Sequence, residues 1–299
     1  MISAAAERLV GWAPVRGPGP NARARERFQA HPLALAGSAV LALLAALAIL
    51  APLVTPYSPS AIDLHNVASA PSVAHPLGTD ALGRDLLTRL LYGGRVSLLV
   101  GFSSMLIAAS VGVAYGSIAG YYGGRLDTLM MRGVDFLLSL PSVFVLLILA
   151  SFQSDSVLRV ILYIGLFGWM GMARLVRGQV LTLRERDFVV AAQSMGAGGG
   201  RVILRHLLPN ALAPVIVAAT LGVGGAILIE AVLDYLGFGV PADTPTWGNL
   251  IAGAQSYVGI DPVMTIAPGV VITIAVTSIN FVGDALRDAL DPFSAIGTR

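Results

Sequence analysis

This chain contains six uncharged, strongly apolar runs, which are too long and too numerous for an ordinary water-soluble fold. They cover residues 34–54, 96–119, 136–152, 160–173, 213–229 and 263–283. A helix needs about 20 apolar residues to cross the hydrocarbon core of a bilayer. The fourth run is the shortest, and it reaches that length only with Val157, Leu158 and a snorkelling Arg159. The runs predict an all-α integral membrane protein with six transmembrane helices, and the mean hydropathy of +0.78 agrees.

The basic residues are all arginine, and their distribution indicates which loops face the cytoplasm, because cytoplasmic loops retain Lys and Arg. With the N-terminus inside, only four arginines lie on the other side: Arg84, Arg89, Arg95 and Arg159. This predicts a flexible basic cytoplasmic tail over 1–33, a first span over 34–54, an extracytoplasmic segment over 55–95 and a cytoplasmic C-terminal tail over 293–299. The length of the first run favours a retained span over a cleaved signal peptide. The pI near 9.1 then reflects arginines at lipid headgroups, so a lipid bilayer is an expected partner and nucleic acid is not.

A polar, glycine-punctuated segment separates the fourth and fifth runs. Phe188, Ala191, Ala192 and Met195 stand at i, i+3, i+4 and i+7, which predicts a helix with one narrow apolar stripe of mostly small side chains. Gly196 is the expected stop of that helix, because glycine adopts the left-handed C-terminal conformation without a Cβ penalty. A second short helix is expected over 201–208, followed by a bend at Pro209.

The same segment resembles the cytoplasmic coupling motif of ABC importer permeases. Ala191-Ala192 is followed after three residues by Gly196, and nine further residues precede His206-Leu207-Leu208-Pro209. Val190 stands where that family usually has a glutamate, so this position offers no carboxylate for a salt bridge to an ATPase. Glu185 and Asp187 lie one to two turns earlier.

Two flanking stretches narrow the resemblance to the dipeptide, oligopeptide and nickel branch of these permeases. They are LGTDALGRDLLTRLLYGGRVSLLVG, which begins at Leu77, and EAVLDYLGFGVPADTPTWGNL, which begins at Glu230. The resemblance covers roughly residues 75–292. It implies the type I ABC importer permease fold, with a five-helix core over 96–292, a coupling segment over 177–212 and one extra N-terminal span.

The resemblance also implies a function and a set of partners. The chain would be a non-catalytic permease subunit in the cytoplasmic (inner) membrane of a prokaryote, importing short peptides or, alternatively, nickel or another small solute. Its expected partners are a second homologous permease, two ATP-binding subunits and an extracytoplasmic solute-binding protein. ATP and Mg would be bound by the partner subunits, and no cofactor by this chain. The residues implied to couple to the ATPase are Phe188, Ala191, Ala192, Met195, Gly196, Ala197, His206, Leu208 and Pro209.

Glu230 and Asp234 are the ionisable residues that most suggest a transport role. They stand at i and i+4 near the outer end of the fifth run and therefore share a helix face. Carboxylates at membrane depth are costly unless they face a cavity or a partner. They are candidates for a substrate pathway or gate together with Trp247, or else they reach the outer interface or bind nearby loop amides. Trp247 and Tyr257 also suit an interfacial aromatic belt.

Several other kinds of chemistry find no support. The chain has no cysteine, and its four histidines lack metal-ligand spacing. The triplet Gly198-Gly199-Gly200 is not followed by the lysine of a phosphate-binding loop, so a hinge between two short helices is expected there. A proton-coupled secondary transporter working through Glu230 and Asp234 is the alternative from another class, although no internal repeat supports it.

Three local features are predicted as well. Thr79 or Asp80 is the candidate N-cap of a polar helical stretch over 81–91. Pro141 in the third span and Pro268 in the sixth each free a backbone carbonyl, which predicts a kink or hinge.

Overall fold

The computed structural model describes residues 20–152 and 156–290, and every regular element in these ranges is a helix. The prediction of an all-α chain is confirmed. The helices are α1 (Pro20–Gln29), α2 (Pro32–Ile49), α3 (Ala51–Val54), α4 (Leu86–Tyr122), α5 (Gly124–Ser139), α6 (Ser142–Ser151), α7 (Val157–Leu183), α8 (Asp187–Ser194), α9 (Gly199–Val202), α10 (Leu208–Tyr235), α11 (Trp247–Ala254) and α12 (Val263–Leu290). A π-helical turn, Ile203–Leu207, joins α9 to α10, and the 3₁₀ turn Gln255–Tyr257 follows α11.

Five helices of the described part are long and apolar enough to cross a membrane. They are α2, α4, α7, the continuous helix from Gly199 to Tyr235, and α12. The fourth predicted span is confirmed as α7, which begins at Val157. The first span begins slightly earlier than predicted, at Pro32, and the predicted flexible tail contains α1. Residues 1–19 and 291–299, and with them the C-terminal tail, lie outside the described residues.

The third predicted span is not one straight helix. The chain bends by 80° between α5 and α6, and this pair becomes a sixth span only when both helices are counted together. Leu140 at the break is extended, with φ −82° and ψ 136°, because a proline disfavours helical backbone in the residue before it. The predicted kink at Pro141 is therefore confirmed, whereas α12 continues through Pro268 without a break.

The most extensive contact in the bundle joins α4 to α7. Three glycines on α4, one turn apart, face α7. A Cβ built on Gly112 would lie 2.6 Å from the Met172 side chain, and one on Gly116 would lie 2.3 Å from the Ala173 carbonyl oxygen. A Cβ on Gly120 would lie 2.9 Å from the Val180 side chain. The two backbones thus approach closely along small residues, as membrane helices commonly do. The helix α10 packs on α4, α7 and α12, while α2 packs on α12 and α4.

The loop between α3 and α4 folds back on itself and fixes the start of α4. Its N-cap is Asp85, whose carboxylate accepts hydrogen bonds from the Thr88 backbone N–H at 2.7 Å and from the His75 ring at 2.9 Å. The predicted N-caps are therefore wrong: Thr79 forms an isolated β-bridge with Asp85, and Asp80 binds the Arg84 side chain at 2.7 Å.

The helix that follows this loop begins later than predicted and extends further. It starts at Leu86 rather than at residue 81, and it continues past residue 95, where the sequence placed the edge of the membrane. Polar residues of the LGTDALGRD stretch close the loop through hydrogen bonds instead of starting a helix.

Candidate functional site: the motif segment and the acidic cluster

The motif segment, defined as residues 184–209, connects α7 to α10. Its first helix, α8, ends in two hydrogen bonds: the Ala197 N–H donates to the Ala192 carbonyl at 3.0 Å, and the Gly196 N–H donates to the Gln193 carbonyl at 2.9 Å. Gly196 has φ +82° and no atom within 4 Å of a built Cβ. This is the Schellman arrangement, which requires a left-handed residue at that position. The predicted helix stop at Gly196 is confirmed.

One side of the motif segment is anchored to the bundle. Val189, Val202 and Leu207 are fully buried in a cluster with Val176 and Val180 of α7.

Close backbone contact anchors the segment as well. A Cβ on Gly199 would lie 2.8 Å from the ring of Tyr121 at the end of α4. Ala192, one of the residues implied to couple to the ATPase, is also buried, so its small side chain packs within the chain. The motif segment is therefore docked onto the ends of α4 and α7.

The other side of the motif segment presents apolar side chains to the outside. Met195 is 82% exposed, and Phe188, Val190 and Leu204 are exposed too. The positions of the remaining predicted coupling residues are as follows: Ala191, Gly196 and Pro209 are exposed, while Ala197, His206 and Leu208 are partly buried. Exposed apolar side chains at the end of a membrane bundle, on a segment anchored from behind, form a surface suited to a protein partner.

The chain does not bend at Pro209 as the sequence predicted. The helix from Gly199 to Tyr235 is continuous over 37 residues. Pro209 cannot donate a backbone hydrogen bond, and the π-helical turn Ile203–Leu207 just before it absorbs the irregularity. A single helix therefore connects the motif segment to residues 230–235 at its far end.

At that far end lies the acidic cluster, formed by Ser97, Glu230, Asp234 and Thr246. The Ser97 hydroxyl is 3.2 Å from both carboxylate oxygens of Glu230, which is 0% exposed. The Asp234 carboxylate accepts hydrogen bonds from the Val240 N–H, at 2.6 Å, and from the Thr246 hydroxyl. Glu230 and Asp234 are one helical turn apart on α10, close enough for their carboxylates to interact electrostatically. The cluster joins α4, α10 and the loop before α11.

Trp247, at the start of α11, closes the cluster and is 2% exposed. Its indole N–H donates to the Leu90 carbonyl at 3.1 Å, and its backbone N–H donates to the Ser97 hydroxyl at 3.2 Å. The interpretation of Trp247 as an interfacial belt residue is wrong, because the side chain is enclosed by protein. Gly248 permits this approach, since a Cβ there would lie 2.7 Å from the Ala231 Cα.

An apolar groove of about 490 Å³ opens between α6, α7 and α10. Its walls include Leu146, Phe167, Met172, Gly222 and Ile229. Glu230, Asp234 and Trp247 do not line this groove, although Ile229 is the neighbour of Glu230. Sequence reasoning missed the groove because its residues come from four helices, α4 contributing Met105, and share no motif.

Ion pairs that the sequence did not predict tie α5 to α7. Asp127 accepts two hydrogen bonds from the Arg177 guanidinium, one of them at 2.7 Å, and Asp135 binds Arg174. Asp and Arg are 50 and 39 residues apart in these pairs, so no local spacing marks them. In the described ranges no group of three His, Cys, Asp or Glu side chains is placed to hold a metal ion.

Comparison with known proteins decides the family of this fold. A family described as the binding-protein-dependent transport system inner membrane component matches residues 112–295. The chain belongs to this family. A second family, the N-terminal TM domain of oligopeptide transport permease C, matches residues 19–71, which include α2. The additional N-terminal span is therefore confirmed, and with it the permease fold.

Relatives of high similarity extend over nearly the whole chain. A Brucella suis protein named "Putative peptide permease protein" is 41% identical over 293 residues, covering 97% of both chains. The oligopeptide transport system permease protein OppC of Escherichia coli is 40% identical over 90% of both chains. The dipeptide transport system permease protein DppC of Alkalihalophilus pseudofirmus is 39% identical over 91% of this chain and 90% of its own.

Replacing Gly196 with alanine is expected to loosen the motif segment without a steric clash. A left-handed backbone costs a non-glycine residue about 1–2 kcal/mol, and a Cβ at this position meets no other atom. Hydrogen exchange of 187–202 is expected to rise several-fold in Gly196→Ala. Gly200→Ala is the matched control, because that Cβ also meets no atom and Gly200 has no positive φ. Equal exchange in the two variants would contradict the Schellman assignment.

Removing the Asp234 carboxylate is expected to destabilise the end of the bundle that holds the acidic cluster. Asp234→Ala leaves the buried Val240 N–H and Thr246 hydroxyl without an acceptor, which costs about 1–3 kcal/mol. The melting temperature of the detergent-purified protein is expected to fall by several degrees, and by less in Asp234→Asn. Asp243→Ala, which removes an exposed carboxylate from the loop between α10 and α11, serves as the control. Unchanged melting in Asp234→Ala would disprove a structural role for the cluster.

Proposed function

We propose that this chain is one of two permease subunits of an ATP-driven importer of short peptides. The observation that supports this most is the similarity to the oligopeptide and dipeptide permeases, which extends over about nine-tenths of their length or more. A solute-binding protein delivers the peptide, and a second, homologous permease completes the translocation path. Nickel or another small solute is the alternative cargo.

The exposed side of the motif segment is the surface that we assign to the ATPase. An exposed apolar patch is formed by Phe188, Ala191 and Met195. A complementary groove on the ATPase would exclude water from this patch. Val190 is exposed at the position where the family usually has glutamate, so this contact depends on apolar burial and not on an ion pair there. Gly196 keeps the patch in place through the Schellman motif.

Anchoring of the motif segment explains how ATP-driven closure of the partners moves the membrane helices. Val189 and Leu207 lock the segment to α7, and the helix Gly199–Tyr235 continues from it into the bundle. A displacement of the segment therefore moves α7 and α10 together, as in rigid-body switching between inward and outward access. The chain transmits force, and ATP and Mg belong to the partner subunits.

The groove between α6, α7 and α10 is the part of the chain that we assign to the translocation path. It is partly lined by α10 and is apolar. Such a surface can bind the non-polar parts of peptides whose side chains differ. Glu230, Asp234 and Trp247 remain candidates for a gate, although their burial favours a role in holding α11 to α10. A direct contact with substrate would require the cluster to open.

The membrane orientation that we propose rests on the distribution of the arginines. Both termini and the motif segment lie in the cytoplasm, and the loop 55–85 lies on the opposite side with the start of α11. Arg174, Arg177 and Arg184 then lie at the cytoplasmic end of α7 and just beyond it, which fits the retention of arginine on that side. The membrane is the cytoplasmic membrane of a prokaryote.

Transport by the complex in proteoliposomes tests the proposal. The chain is purified from its native membrane with the subunits that accompany it, identified by mass spectrometry, and uptake of labelled peptides is measured with the co-purified binding protein. Peptide uptake that requires internal ATP is expected. Uptake of nickel but not of peptide would show that the cargo is nickel and contradict the peptide assignment. Uptake that is driven by a proton gradient without ATP would favour the secondary transporter and disprove the importer.

Truncating the exposed patch is expected to uncouple the ATPase from the permease. Phe188→Ala combined with Met195→Ala removes two exposed anchors, and the loss of about 1.4 kcal/mol of binding weakens the ATPase contact tenfold. Peptide-stimulated ATP hydrolysis is expected to fall at least several-fold at unchanged membrane abundance. Leu106→Ala, an exposed apolar residue in the middle of α4, is the control. Normal stimulation in the double variant would overturn the coupling assignment.

A further inference from the structure

A second groove, of about 620 Å³, lies between α2 and α4. Its walls are Ala45, Ala48 and Ile49 of α2 and Leu98, Leu99 and Phe102 of α4, together with a single charged residue, Arg95. It shares no lining residue with the motif segment, the acidic cluster or the groove beside α10. Nothing proposed above for peptide transport uses it.

Arg95 is held at one end of this groove by the last turn of α2. Its Nε and Nη2 atoms donate to the carbonyl oxygens of Ala48 and Ile49, the latter at 2.8 Å, and its guanidinium lies 4.6 Å from the ring centre of Tyr92. A guanidinium has five N–H donors, so these two bonds leave three. In the described part of the chain Arg95 forms no ion pair, and its charge is therefore not balanced by a neighbouring carboxylate.

The depth of the two ends of the groove differs. The Arg95 guanidinium binds the last turn of the apolar helix Pro32–Ile49, and the end of a membrane-spanning helix is where lipid headgroups are expected. Phe102 is seven residues further along α4, about 10 Å deeper at 1.5 Å per residue. The groove therefore has a cation at the membrane surface and apolar walls below it.

We propose that this groove binds one anionic glycerophospholipid. The phosphate accepts hydrogen bonds from the unused donors of Arg95, and one acyl chain lies against Leu98, Leu99 and Phe102. A neighbouring apolar helix would fit poorly, because it would bury those donors without an acceptor. The uncompensated positive charge favours a lipid with a net negative headgroup over a zwitterionic one. The lipid would brace the N-terminal span α2 against α4.

Native mass spectrometry of the purified complex, with its partner subunits, tests the headgroup contact. After delipidation the complex is titrated with phosphatidylglycerol or with phosphatidylcholine of the same acyl chains. The wild type is expected to bind phosphatidylglycerol more tightly, and Arg95→Gln to bind it about fivefold more weakly, the factor that corresponds to ~1 kcal/mol for one basic residue at an anionic surface. Arg95→Lys keeps the charge and is expected to retain part of the preference. Arg125→Gln, an exposed arginine of α5, is the charge-matched control.

A second pair of variants tests the groove without touching Arg95. Ala45→Leu fills the space of the acyl chain and is expected to lower phosphatidylglycerol binding as Arg95→Gln does. Ala46→Leu adds the same side chain to an exposed neighbour that does not line the groove, and is expected to bind like the wild type. Equal lipid binding in the wild type, Arg95→Gln and Ala45→Leu would overturn the proposal. So would a wild-type complex that shows no lipid adduct at any concentration.

Discussion

The close approach of α4 and α7 is the interaction on which the rest of the structure depends. In a bilayer the apolar faces of two helices gain little by leaving lipid, so their association relies on packing contact and hydrogen bonds. Gly112, Gly116 and Gly120 allow the α4 backbone to lie directly on α7. This pairing sets the positions of Val176 and Val180, and these residues provide the surface on which the motif segment is docked. Larger side chains at the three glycines would separate the helices and remove that support.

The motif segment and the acidic cluster lie at opposite ends of one continuous helix. The motif segment leads into it at Gly199, and the acidic cluster occupies its last turns at Glu230 and Asp234. Buried polar groups are stable only when they are hydrogen-bonded, and Asp234 meets this condition by binding the loop before α11. The helix therefore joins the surface proposed to receive force to the structure at the far side of the bundle. Close packing of the bundle is what would let the proposed movement at one end displace the other.

Sequence reasoning located the functional segment but not the role of each residue within it. Gly196 was predicted as a helix stop from its chemistry alone, and the left-handed backbone confirms it. Ala192 was placed on an apolar stripe by helical spacing and is buried against the bundle, because spacing identifies a face without saying which neighbour covers it. Trp247 was interpreted as an interfacial residue and proved to be enclosed, since its partners Leu90 and Ser97 are about 150 residues away in sequence. The bend predicted at Pro209 is absent because a π-helical turn absorbs the missing hydrogen bond.

The sequence by itself determined that this chain spans a membrane as helices, where its extra N-terminal span lies, and which family it resembles. Those conclusions rest on local chemistry: apolar length, arginine placement and short motifs need no knowledge of neighbours. The tertiary structure alone decided that the predicted kink at Pro141 is a bend of 80°, that Asp85 rather than Thr79 or Asp80 caps α4, and that Glu230 and Asp234 are bound within the protein. These features depend on contacts between residues distant in the chain, and the energy of a buried carboxylate is set by the groups that surround it, which no local pattern reveals.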